Sequence, residues 1–131
     1  MKNYGRANFI AKGTQADVST TELDLVVIDE PENLLNSQFN VYYDIDLGTH
    51  TSLFFRYYVK PSPSSTTWYE LPYRNDGTGE ITSVPTEATS STPTEFVDSL
   101  PLPACYAFKI TVDGEGGANG SATATVLGRD N

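Results

Sequence analysis

Phe39-Asn40-Val41-Tyr42-Tyr43-Asp44-Ile45-Asp46 is followed, after Leu47-Gly48-Thr49-His50, by Thr51-Ser52-Leu53-Phe54-Phe55-Arg56-Tyr57-Tyr58-Val59-Lys60. In the first run Phe39, Val41, Tyr43 and Ile45 share one side of an extended chain. Asn40, Tyr42, Asp44 and Asp46 share the other. That period of two is the mark of a strand with one dry and one wet face. In the second run Leu53, Phe55, Tyr57 and Val59 alternate with Ser52, Phe54, Arg56, Tyr58 and Lys60. The short intervening loop predicts a hairpin.

The same reading extends outward. Strands are expected at Ala7 to Lys12, Glu22 to Asp29, Thr67 to Leu71, Glu80 to Val84, Ala104 to Asp113 and Gly120 to Leu127. Gly114-Glu115-Gly116-Gly117-Ala118-Asn119 is expected to join the last two as a second hairpin. A single helical turn is expected within Glu30 to Asn36, with Pro31 near its start. Two polar loops stand out, Pro61 to Thr67 and Pro85 to Thr94. The expected architecture is all-β, an antiparallel β-sandwich or jelly roll of about seven to nine short strands. With no internal repeat and no second composition zone, the 131 residues form one expected domain, preceded by a short tail over about residues 1–6.

Composition narrows the function classes. The apolar share is 38%, below the usual ~45–50%, and Ser and Thr fill the deficit. Eight Tyr, six Phe and one Trp argue for an ordered core. Seventeen acidic residues against eight scattered basic ones give a net charge of −9. Such a chain repels a polyanion, so no nucleic-acid partner is expected. No stretch approaches the ~20 apolar residues of a spanning helix, so no membrane partner is expected. Lys2 and Arg6 precede no apolar run, so no signal peptide is read.

Parts for chemistry are scarce. Cys105 is alone, within the apolar run Ala104-Cys105-Tyr106-Ala107-Phe108, and reads as a buried small side chain. His50 is the single histidine. Neither a nucleophile elbow nor a phosphate loop is present, so no enzyme activity and no cofactor are expected. Asp44, Asp46 and His50 form one candidate metal cluster. Asp113 with Glu115, and Asp76-Gly77-Thr78-Gly79-Glu80, form two others, although neither has the spacing of a calcium loop.

The aromatic residues carry the binding expectation. Phe54 and Tyr58 lie opposite an already apolar face, and Trp68, Tyr69 and Tyr73 follow soon after. Tyr and Trp combine contact area with a polar handle, so they are enriched where proteins meet proteins or sugars. With Tyr4 and Arg6 of the tail, these residues make up the candidate protein interface. A carbohydrate-binding or adhesin-like module is the rival reading, with Trp68, Tyr69 and Tyr73 as its platform.

In style the chain resembles the small structural proteins of tailed bacteriophage virions. The resemblance rests on Thr51 to Lys60, Trp68-Tyr69-Glu70-Leu71-Pro72, Leu100-Pro101-Leu102-Pro103-Ala104-Cys105-Tyr106 and Gly120-Ser121-Ala122-Thr123-Ala124-Thr125-Val126. It implies a protein made in the host cytoplasm and located in the virion. It further implies a multi-copy assembly, with the major capsid protein or neighbouring copies as partners. A capsid decoration or auxiliary role is favoured over a tail or connector component.

Overall fold

The computed structural model describes residues 6–29, 34, 38–71, 74–75, 81–82 and 85–130. Eleven strands occur among them: β1 (Arg6–Val18), β2 (Leu23–Ile28), β3 (Gln38–Asp46), β4 (Ser52–Lys60), β5 (Tyr69–Glu70), β6 (Arg74–Asn75), β7 (Ile81–Thr82), β8 (Thr86–Thr89), β9 (Glu95–Pro101), β10 (Ala107–Glu115) and β11 (Gly120–Asp130).

Two antiparallel sheets face one another. One has the order β1-β11-β3-β9. The other runs β2-β10-β4, with β5 and β8 sharing the free edge of β4. A separate ribbon pairs β6 with β7. The pairings are nested: β1 with β11, β2 with β10, β3 with β9, and β4 with β8. A long antiparallel hairpin rolled on itself gives this order, because rolling brings β11 beside β3 and β10 beside β4. That is a jelly roll, the double-sheet solution to closing an antiparallel structure.

Both predicted hairpins are therefore corrected. β3 and β4 lie in opposite sheets, and so do β10 and β11. Their connections are corners that carry the chain across the sandwich. The reason is burial. β3 and β4 each have a full apolar face, and laying one over the other buries both faces against each other. A flat hairpin would leave both on the same side.

Other boundaries also move. β1 runs on to Val18 because two bulges let it follow β11. β9 was not foreseen, since its inward positions are Phe96, Asp98 and Leu100 and the acid breaks the apolar pattern. Part of the polar Pro85 to Thr94 loop is strand β8, whose Ala88 is fully buried. Arg6, assigned to the tail, is the first residue of β1, opposite Asp130. Most of the expected helical turn, Glu30 to Asn36, lies outside the described residues.

The core is what alternation foretold. Phe39, Val41, Tyr43 and Ile45 of β3 face Leu53, Phe55 and Tyr57 of β4, with Phe108, Ile110 and Val112 of β10 beside them. β11 contributes Ala122 and Ala124, opposite Ile45 and Tyr43. These small side chains leave room for the large ones next to them. Phe39 meets Phe108 edge-on at 5.2 Å, and Tyr43 meets Phe55 at 4.3 Å, both across the sheet interface. Each such buried side chain contributes roughly 1.5–3 kcal/mol of hydrophobic stabilisation.

The two long sides of the sandwich close differently. At one, Gly13 of β1 lies so near Leu25 of β2 that a Cβ would strike the Leu25 carbonyl, and Gln15 Nε2 donates to the Asp24 carbonyl at 2.8 Å. At the other, a polar bridge joins the sheets. Tyr57 Oη donates to Asp98 Oδ2 at 2.8 Å, Thr86 Oγ1 donates to the same oxygen at 2.6 Å, and the Tyr43 and Tyr57 hydroxyls are 2.7 Å apart. Burial, and then the Asp98 charge, push the Tyr57 phenol far above its ordinary value, so it remains a donor.

At one end three corners stack. Thr49 N–H donates to the Ala118 carbonyl at 3.0 Å, and Thr51 N–H donates to the Glu115 carbonyl at 2.9 Å. Gly114 N–H donates to the Ser19 carbonyl at 2.8 Å. His50 sits beneath them, 5% exposed, with Nε2 donating to the Val18 carbonyl at 2.7 Å. Its ring lies against Gly114 so closely that a Cβ there would collide with it.

Candidate functional site

The wet face of β4 presents Phe54, Arg56, Tyr58 and Lys60. Register sets Asp113, Thr111 and Lys109 of β10 beside the first three. Glu87 of β8 and Glu70 of β5 stand opposite Phe54 and Tyr58 on the other flank. Trp68, just before β5, lies over this surface. The Lys60 and Lys109 ammonium groups are 4.9 and 4.8 Å from its ring centroid. Lys109 is also 5.4 Å from the Tyr58 ring and forms a 3.2 Å ion pair with Asp24. The Arg56 guanidinium is 5.7 Å from the Phe54 ring.

Glu22 anchors the centre of this face. Its Oε2 accepts hydrogen bonds from Tyr58 Oη and Thr111 Oγ1, both at 2.6 Å. Burial alone would raise its carboxyl. The two hydroxyls, with the charges of Arg56 and Lys109, outweigh that and hold it below its ordinary value. Asp113 moves the other way: burial raises it, Arg56 opposes the rise, and Glu22 adds to it. The Arg56–Asp113 contact is loose, at 3.9 Å. Burial and the Glu22 carboxylate raise the Tyr58 phenol.

The structure thus sets Tyr58 and Trp68 about one ammonium, that of Lys109, with Phe54 further along the same face of β4. Tyr69 stands apart: it pairs with inward-facing Val59, at the sheet edge, and is 56% exposed. Tyr4 and Tyr73 lie outside the described residues. Cations that are scattered in sequence converge here, because Arg56, Lys60 and Lys109 occupy neighbouring strands. Each is already against a ring.

The metal candidates do not assemble. Asp44 and Asp46 are exposed on β3, while His50 is buried under the corners. Among the described residues, no group of three or more His, Cys, Asp or Glu side chains comes together. Asp76 to Glu80 lies outside the described residues. Cys105 is half-buried and packs against the core, and burial raises its thiol above the ordinary value.

The exposed apolar side chains not put forward from sequence include Phe9 at 66%, Val97 at 53% and Tyr42 at 50%. These three stand on the outer face of the other sheet. For Tyr42 the signal was present, since alternation places it on the wet side of β3. Val97 was hidden with β9, and Phe9 lay in a weakly patterned strand.

No family model matches the chain, and no curated protein matches it. Among solved structures it is similar to one described as "X-ray structure of Triatoma virus empty capsid", at 10% identity and a TM-score of 0.46, covering 96% of this chain and 88% of that one. The class of this protein is defined by its own strand order: an all-β jelly roll of two antiparallel sheets. Among the described residues, no helix is long and apolar enough to cross a membrane.

Proposed function

We propose that this protein is a virion structural component, of the decoration or auxiliary type, that packs in many copies on the major capsid shell of a tailed bacteriophage. The observation that carries the reading is the nested strand order, β1-β11-β3-β9 over β2-β10-β4, a fold shared by capsid and lectin domains. Sequence style adds to it: acidic, rich in Ser and Thr, without paired cysteines. In this role the chain acts as a rigid block, and repetition turns modest contacts into firm attachment.

The sugar-binding alternative shares the fold but fits Trp68 less well. A sugar platform needs a bare ring face, and Trp68 has two ammonium groups close to its ring. Of the expected contact residues that are described, Tyr69 offers the barest ring, whereas Phe54, Tyr58 and Trp68 are engaged by Arg56, Lys109 and Lys60.

The test adds purified chain to tailed-phage shells that lack it and follows co-sedimentation. Saturable attachment at a fixed copy number per shell is expected. A chain that stays in the supernatant while binding a glycan array would sink the proposal in favour of the sugar module.

A further inference from the structure

The outer face of β1-β11-β3-β9 differs from its counterpart in one respect. Beside polar pairs such as Thr14 with Thr123 and Ser99 with Asn40, it carries large apolar side chains that are exposed. Register sets Val97 beside Tyr42 and Phe9 beside Leu127, so these four form a diagonal band across the sheet. At the Tyr42 and Val97 end of the band a shallow groove of about 260 Å³ opens between β3 and β9, lined by Tyr42, Tyr43, Glu95, Phe96 and Val97. Beyond the band the face turns acidic. Asp44 and Glu95 are register partners, and Asp46 follows on the same side of β3. Among the described residues, no ion pair engages Asp44, Asp46 or Glu95. Lys12, opposite Thr125, is the described cation on this face.

We infer that this face is a docking surface for a protein partner whose apolar centre is bordered by lysine or arginine. Exposed aromatic and aliphatic side chains supply the contact area, and the acids outside any described ion pair supply the complementarity. A second copy is disfavoured as occupant, because it would bring an equally acidic face against this one and oppose −9 with −9. Docking here goes beyond the proposed role: it requires a protein partner, whether or not that partner belongs to a virion.

The test uses the full chain, isotope-labelled, and three nine-residue peptides: alternating Lys-Leu, Lys-Ser and Glu-Leu. The Lys-Leu peptide is expected to shift the amide signals of Tyr42, Asp44, Glu95 and Val97. Val97→Ser, or Asp44→Lys with Glu95→Lys, is expected to weaken it by about tenfold or more without lowering the melting temperature. Equal binding of Lys-Ser overturns the apolar half of the inference, and equal binding of Glu-Leu overturns the charge half. Shifts confined to Phe54, Tyr58 and Trp68 move docking to the other sheet. A free chain that sediments as a dimer dissolved by Tyr42→Ser replaces the basic partner with a second copy. Shell attachment is read separately, so failure here and failure of the virion proposal remain distinct.

Discussion

Glu22 and Asp113 show how two carboxyls on one face come to have opposite effects on stability. Glu22 titrates below its ordinary 4.5 in the folded chain. Its contribution is therefore present above that value and lost as pH falls through the lower folded one. Asp113 titrates above its ordinary 3.8. Its contribution is present below that value and lost as pH rises through the higher folded one. Glu22→Gln should thus melt below the parent chain at pH 7, with the gap closing as acid protonates the parent's carboxylate. Thermal melts from pH 7 down to about 3 check this. A gap that persists unchanged into acid would assign the effect to lost packing. Asp113→Asn should cost little at neutral pH, because it removes a charge that burial disfavours.

At the scale of elements, the strands were legible and their partners were not. Alternation located β3, β4, β10 and β11 because each has a complete apolar face. It could not say whether consecutive strands pair or face each other, since both arrangements use the same pattern. The corners then hold the stacked arrangement in place. Gly114 accepts the His50 ring, His50 reaches the Val18 carbonyl, and Thr49 and Thr51 bond to the neighbouring corner. His50 looked like a metal candidate because sequence gives proximity without direction. Gly114→Ala should destabilise the fold by roughly 2 kcal/mol or more through overpacking. His50→Ala should cost on the order of 3 kcal/mol from a cavity and an orphaned carbonyl. The double variant should cost less than the sum, because the new methyl occupies space the ring has left. Urea melts of the four chains close this cycle, and strict additivity would deny the contact.

The candidate site was half legible in the same sense. Alternation placed Phe54 and Tyr58 on one outer face of β4, and Trp68 meets Tyr58 there through Lys109. Their pairing with Arg56, Lys60 and Lys109 was not readable, because those cations come together only when β4 lies beside β10.

For the whole molecule, nesting has a kinetic cost. Apart from β4 with β5, no consecutive described strands of the two large sheets pair. The outermost pair, β1 with β11, joins opposite ends of the described chain. Loop closure must therefore precede most of the stabilising contacts. Refolding followed by Trp68 fluorescence should have a main phase on the order of milliseconds to seconds, the range of non-local β folds. A microsecond phase carrying the full amplitude would contradict this.

Asp98 has a bearing on what happens where many copies crowd together. It sits on β9, the edge of its sheet, and turns its carboxylate inward to Tyr57 and Thr86. A strand from another molecule adding to that edge would meet a backbone held by the inward charge to one register and twist. The acid that ties the two sheets together thereby discourages edge-to-edge fibre growth where copies are crowded.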